Sequence, residues 1–356
     1  MIDLSIRKLV EGIIMKKYSQ PGLFDEENRH EKLTQQGDPL VVMNKMVDWE
    51  IFRPILNRTF QKVAKGPGGR PPYDYLVMFK ILILQRLYNL SDEQMEYQLN
   101  DRISFMRFLG LRINGTIPDQ NTIWLFREHL TRAGAIRRLF RQFDRHLNKK
   151  GLMAHEGSIV DASFVEVPRQ RNSRKENESI KNEEIPEKWK DNPNKMCQKD
   201  VNARWVKKHG VNHFGYKNHI KVDRKSKLIR TYETTDASVH DSQVLGKLID
   251  KNDSHHEFYG DSAYSGEPIR NILKKHQIRC RIHKKGYRGN PLTKDQQLIN
   301  KKKSRIRARV EHVFGFIVTK MKGKSSRAIG LHRNDGIIGL VNLTYNLCRY
   351  IQLCRV

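Results

Sequence analysis

Apolar residues between about 40 and 150 recur at helical spacing. From Tyr73 to Tyr88 they fall at 76, 79, 83, 84 and 87, close to a 3.6-residue period, after the turn-forming run Gly66-Pro67-Gly68-Gly69-Arg70-Pro71-Pro72. Ser91-Asp92-Glu93-Gln94 has the capping-box pattern, so a helix is predicted to open there. Ile117-Pro118-Asp119-Gln120 places a turn before a helix predicted to run to about Asn148. Near Gly151 the pattern changes. β-Branched and aromatic runs predict strands at 158–167, 215–222 and 228–234, the last two joined by the turn Asp223-Arg224-Lys225-Ser226-Lys227. A helix at 242–250, a strand leading to Asp261, a helix at 267–276, a strand at 279–283 and a long helix carrying Glu311 follow. Residues 168–199 are rich in Arg, Asn, Glu and Lys and poor in large apolar residues, which predicts a mobile polar loop.

Three strands followed by alternating helix and strand is the order of a ribonuclease H-like α/β domain, a mixed sheet flanked by helices. A chain of 356 residues is long enough for two domains, each with its own core. The expected organisation is an N-terminal extension at 1–39, taken as flexible, an all-helical domain at 40–150 and an α/β domain at 151–356. In that sheet the first and fourth strands can be neighbours, so acids at their ends can converge. On the long helix, at 100° per residue, Val310, Val313, Phe314, Ile317 and Met321 share one stripe, the predicted core face. Ser304, Arg307, Glu311, Val318 and Lys322 fall within about 60° of each other beside it.

Charge changes the picture. There are 67 Lys and Arg against 39 Asp and Glu, a formal net charge of +28, with a sequence pI of about 10.0. That balance points to nucleic acid as partner rather than to small neutral substrates. Arg102, Arg107, Arg112 and Arg127 are spread among the short helices, which suits a helix-turn-helix-like DNA reader; a helical packing domain fits as well. The four cysteines form no CxxC pair, which argues against structural zinc and for a reducing, cytoplasmic setting. A mean hydropathy of −0.70 and the lack of an apolar run of about 18 residues predict no membrane partner. The first residues mix charges with apolar side chains and do not read as a secretory signal; Met15, followed by two lysines, is a candidate start.

Between Ser265 and Arg333 stand 20 Lys or Arg and three acids, Glu267, Asp295 and Glu311. Glu311 follows Lys301, Lys302, Lys303, Arg305, Arg307 and Arg309 within eleven residues. A surface that holds a polyanion has no electrostatic use for a carboxylate there unless it binds a metal. Catalytic Mg²⁺ draws oxygen ligands from more than one carboxylate, so further isolated acids are expected. Asp161, inside Ser158-Ile159-Val160-Asp161-Ala162-Ser163, and Asp261, in Tyr259-Gly260-Asp261-Ser262, fit, 100 residues apart. Taken singly, either Asp reads more simply as a turn former or cap, and Glu311 as an i,i+4 partner of Arg307. In combination they suggest a site. Asp241 after His240 reads as a helix N-cap, His213 and His219 as strand-surface or DNA-contact groups, and Tyr259 and Tyr264 as core aromatics.

The order Asp161, Asp261, Glu311, with Arg307-Ala308-Arg309-Val310-Glu311-His312-Val313-Phe314-Gly315, resembles the DDE transposases of bacterial insertion sequences, the insertion-sequence five family in particular. Trp205-Val206-Lys207-Lys208-His209, His213-Phe214-Gly215-Tyr216-Lys217-Asn218-His219 and Ala237-Ser238-Val239-His240-Asp241-Ser242 are similar to that family too. In the family's glutamate signature a Tyr and a Lys stand where this chain has Ser304 and Val318; Lys322 lies one turn beyond and is the candidate substitute. The resemblance implies a metal-dependent transposase that binds its element's terminal inverted repeats, cleaves the ends and joins 3′-hydroxyls to target DNA. It implies Asp161, Asp261 and Glu311 as catalytic acids and ligands of two Mg²⁺, with Mn²⁺ able to substitute. Arg307 is then expected at the phosphate, with Arg305, Arg309, Lys301, Lys302, Lys303 and Lys322 on DNA. A homodimer or larger assembly around two ends, in the bacterial nucleoid, follows from the same resemblance. A ribonuclease H-like nuclease without joining activity and a non-catalytic DNA-binding descendant are the alternatives.

Overall fold

The computed structural model describes residues 22, 24–61, 71–182, 184–208, 210–264 and 266–355. Met15 and most of the run at 66–72 lie outside them. Among the described residues eight α-helices precede the sheet: α1 (Asp25–Gln35), α2 (Pro39–Met46), α3 (Arg53–Phe60), α4 (Tyr75–Leu87), α5 (Asp92–Asp101), α6 (Ile103–Leu109), α7 (Gln120–Arg132) and α8 (Ala135–Lys149). Side-chain caps start four of them. Asp74 caps α4, and Asp119 caps α7 by accepting from Thr122 N at 2.6 Å. The predicted capping box opens α5: Ser91 Oγ accepts from Gln94 N at 3.1 Å and Gln94 Oε1 from Ser91 N at 3.0 Å. Such caps contribute about 1 kcal/mol each. The helix expected to run to 148 is two helices, because the chain turns at Gly134 with φ +60°, a conformation that penalises any Cβ. The segment expected to be flexible carries α1, held to α6 by Arg107 Nη1 on His30 O at 3.0 Å and Thr34 Oγ1 at 2.7 Å.

The sheet has six strands, β1 (Ser158–Glu166), β2 (Arg204–Lys208), β3 (Val211–Asp223), β4 (Ile229–Asp236), β5 (Glu257–Tyr259) and β6 (Arg279–Cys280). β3 runs antiparallel to β1 and to β4, while β5 and β6 continue parallel to β1, in the order β4-β3-β1-β5-β6. This is the ribonuclease H-like arrangement expected from the sequence. β2, not predicted, pairs only with β3, and its Arg-Trp-Val-Lys-Lys run has no apolar alternation to reveal it. The helix expected at 242–250 is a 3₁₀ turn (Asp241–Val244) followed by α12 (Leu245–Leu248).

The stretch predicted as a loop at 168–199 holds α9 (Arg174–Lys181), α10 (Glu187–Lys190) and α11 (Pro193–Gln198). Its few apolar residues are well placed. Trp189 is fully buried, donates from Nε1 to Glu176 Oε1 at 2.6 Å, and lies beneath the ammonium groups of Lys195 and Lys199.

α13 (Glu267–Lys275) and α12 cover one face of the sheet, over Val160, Phe258 and Tyr264. On the other face lie α14 (Lys294–Met321) and α15 (Leu331–Cys354). α15 is buried nearly all round, because it sits between β3 and β4 on one side and the N-terminal helices on the other. One core cluster therefore runs from Leu40 through Leu147 to Ile220, Val310 and Leu347, where separate cores were expected. Buried amides fix the register: Asn342 and Asn218 exchange bonds of 2.8 and 3.1 Å, and Asn346 brackets the backbone of Ile229 at 2.9 and 2.7 Å.

Candidate active site

The parallel pairing of β1 with β5 matches Ile159 to Tyr259. Asp161, inside β1, and Asp261, in the turn after β5, each stand two residues beyond that pair, so the two acids leave the β1–β5 pairing side by side. Asp261 is held in the turn after β5, accepting from Ala263 N at 2.8 Å. Asp161 Oδ1 accepts from Ala162 N at 2.9 Å. Its cross-strand partner on β3 is Ile220, so its side chain shares the face on which α14 packs. There Arg307 donates from Nη1 to Asp161 Oδ2 at 3.1 Å and from Nη2 to Glu311 Oε1 at 3.2 Å.

Burial pushes the Asp161 carboxyl up to about 6; the charge of Asp261 adds to the shift, while the Ala162 N–H, Arg307 and Lys208 oppose it. The Asp161 side chain is 20% exposed and that of Glu311 61%. A recessed carboxyl beside a second acid and opposite an open one is a place where added positive charge is strongly favoured.

The α14 stripes fall where their angles put them: Val310, Val313, Ile317 and Met321 are buried, Phe314 half-buried, and Arg307 and Glu311 flank them at the site. Extending the stripe to Lys322 fails. The helix stops at Met321, and Lys322 is its C-cap with φ +48°. Val318 is half-buried, and Ser304 shares a 2.9 Å hydrogen bond with His283 Nε2. His283 Nδ1 lies 3.1 Å from Gly260 O, so Ser304 and His283 tie α14 to the residue before Asp261. Lys301, Lys302 and Arg305 are exposed. Lys303 and Arg309, expected on DNA, are turned to the protein: Lys303 Nζ donates to Ile282 O at 2.7 Å and Arg309 Nη1 to Arg224 O at 2.8 Å.

Several neighbours take roles other than those expected. His240, not Asp241, caps the 3₁₀ turn; Asp241 is buried and accepts from Lys217 Nζ at 2.9 Å. His219 lies inside, bonded to Thr235 Oγ1 at 2.9 Å, and burial pushes its imidazole down to about 4. His213 lies 2.8 Å from Glu166 Oε1. Tyr259 and Tyr264 are buried, as expected. Sequence reasoning missed Lys208, whose charge bears on Asp161. Of the four arginines considered as DNA readers, Arg127 grips Asp92 with bonds of 2.6 and 2.7 Å, Arg107 holds α1, and Arg102 stacks on Tyr88 and Phe105. Arg112 is half-buried. Three of them thus serve intramolecular packing.

Among the described residues no three His, Cys, Asp or Glu side chains are gathered as a metal cage. Mg²⁺ does not need one, since it commonly takes one or two carboxylates and completes its shell with water and phosphate oxygens. The hard oxygen donors of Asp161, Asp261 and Glu311 and the raised Asp161 carboxyl fit such an ion.

Among solved structures the chain is similar to the piggyBac transposase synaptic complex with hairpin DNA, at 12% identity over 89% of this chain and 75% of that one, with a TM-score of 0.44. It is also similar to the Mos1 pre-cleavage transpososome, at 12% identity over 98% and 91% of the chains, with a TM-score of 0.18. The sequence itself matches the family described as "Transposase domain (DUF772)" over residues 27–129 and the "Transposase DDE domain" family over residues 153–347. With the second match spanning more than half of its length, this chain belongs to the DDE transposases of the insertion-sequence four/five-like kind, metal-dependent enzymes that transpose DNA.

Proposed function

We propose that Asp161, Asp261 and Glu311 are the catalytic acids of an insertion-sequence five transposase and the ligands of two Mg²⁺, for which Mn²⁺ can substitute. The observation that carries this is the convergence at β1 and β5: the strand register levels Asp161 with Asp261, and one guanidinium on α14 joins Asp161 to Glu311. Divalent ions, if bound by these acids, would supply positive charge for an in-line displacement at phosphorus. The remaining work belongs to the chain. The recessed Asp161 would set how deep the scissile phosphate must enter, and Arg307, already bonded to Asp161 and Glu311, is the fork-shaped donor available to its oxygens. Lys301, Lys302 and Arg305, exposed on the same helix, follow the backbone and fix its register without reading sequence. Residues 40–150 are the part we assign to terminal-repeat binding, and synapsis of two ends calls for at least a dimer on DNA.

Strand transfer in vitro tests this reading, with Mg²⁺ or Mn²⁺ and a linear fragment carrying the inverted repeats that flank the coding sequence. Wild type should give joined products and Glu311→Gln none. Cleavage without joining would make the protein a nuclease, and DNA binding with neither would make it a catalytically silent descendant.

A further inference from the structure

The β1–β3 ladder ends at Glu166 and Gly215, yet His213, two residues beyond, reaches back to Phe164, so the β2–β3 hairpin bends over β1 at that point. At Gly215 φ is +145°, and a Cβ there would lie 2.3 Å from Val165 O, so only glycine lets the two strands approach this closely. Beyond the bend the hairpin is pinned twice through one residue. His213 stacks on Phe164 at 4.3 Å with the rings 8° from parallel, and its Nδ1 lies 2.8 Å from Glu166 Oε1. Phe164 is three residues after Asp161 on β1, and Lys208 Nζ lies over its ring at 5.6 Å. The hairpin thereby holds Lys208, exposed like Lys207, over β1 three residues beyond Asp161, on the face opposite the one on which α14 packs.

Lysines on a strand with one open edge also discourage pairing with other strands, and that ordinary role accounts for Lys207. It does not account for a ring stack and a carboxylate contact that hold the hairpin against β1 and leave Lys208 over Phe164, three residues from Asp161.

We propose that the β2–β3 hairpin is a second DNA-contact surface, on which Lys208 binds a backbone phosphate of the duplex, so that the DNA at the acids is held between this hairpin and the exposed bases of α14. The proposal rests on the DNA-binding reading of α14 given above. It needs no sequence recognition, because phosphate contacts position DNA without reading it.

The test uses the full-length protein and a 30-base-pair duplex of arbitrary sequence, with affinity measured by fluorescence anisotropy between about 50 and 200 mM NaCl. Each lost phosphate contact should make the slope of log K against log salt shallower by about 0.9. Lys208→Ala should lose that amount, as Lys301→Ala should, and Lys208→Arg should keep the wild-type slope. A Lys208→Ala slope equal to wild type, with Lys301→Ala reduced, would overturn the hairpin surface and leave the α14 reading intact. Lys208→Arg falling as far as Lys208→Ala would mean that the side chain only packs on Phe164, which also overturns it. Wild-type protein without salt-dependent duplex binding would sink both readings.

Discussion

His219 stands on the same strand as Lys217 and Lys221, and each of these three inward groups is handled differently. Lys221 is fully buried and gives bonds of 2.7 Å to both Asp250 and Asp253, and Lys217 pairs with Asp241 at 2.9 Å. His219 has no carboxylate at bonding distance, Asp241 being 3.9 Å away, so burial dominates and its imidazole is held neutral, down to about 4. An unfolded histidine titrates near 6.5, so the unfolded chain binds the extra proton first as pH falls. The stabilisation from keeping His219 neutral is complete above about 6.5 and lost as pH falls through about 4. Over that window it amounts to roughly 3 kcal/mol. Thermal unfolding of wild type and His219→Gln from pH 7 to pH 4 checks this: the wild-type melting temperature should fall more steeply, and parallel curves would contradict it. Asp161 and Asp261 were legible in the sequence because an acid interrupting a β-branched run, or following an aromatic strand into a turn, is a local pattern. Lys208 was not, because its place over Phe164 depends on the bend at Gly215 and on a ring stack between strands distant in sequence.

At the level of elements, legibility followed local signals. The capping box at Ser91 and the apolar stripe of α14 were readable because both are periodic or contiguous. β2 and α9–α11 were not, since their stability comes from pairing and from one tryptophan rather than from pattern. The α9–α11 insertion gathers around Trp189, with Glu176 receiving both its Nε1 and the Lys195 ammonium, the latter at 3.1 Å. Trp189→Ala should remove about 3–5 kcal/mol of packing from that unit. Because Trp189 belongs to none of the three main core clusters, the loss should remain local. Amide hydrogen exchange should quicken across 172–199 by two orders of magnitude or more while the amides of α14 keep their protection. Equal loss of protection in α14 would show that the insertion supports the whole sheet.

The molecule as a whole is joined through α15. Arg137 on α8 donates to Asp335 at 2.6 and 2.9 Å and to Glu233 on β4 at 2.9 Å, and Arg333 on α15 grips Glu128 on α7 at 3.0 Å. Two glycines bring backbones together at the same place: a Cβ on Gly336 would lie 2.7 Å from Thr131 Oγ1, and one on Gly339 2.3 Å from the Tyr232 hydroxyl and 2.8 Å from Ile136. Composition suggested two cores, and it could not reveal this, because nothing in the pattern of α15 says that its two sides face different partners. A helix shared by both parts makes their stabilities one quantity, so the helical region and the sheet should unfold in a single cooperative transition. Gly339→Ala forces apart α8, α15 and β4 together, an overpacking that costs about 1–3 kcal/mol. It should lower the melting point without splitting the transition. Arg137→Ala removes one charged link but leaves the Arg333–Glu128 pair and the apolar contact, so its effect should be smaller and also unsplit. Calorimetry of both variants decides the matter: two resolved peaks in either one would show that the parts hold together through the interface alone, rather than through a common core.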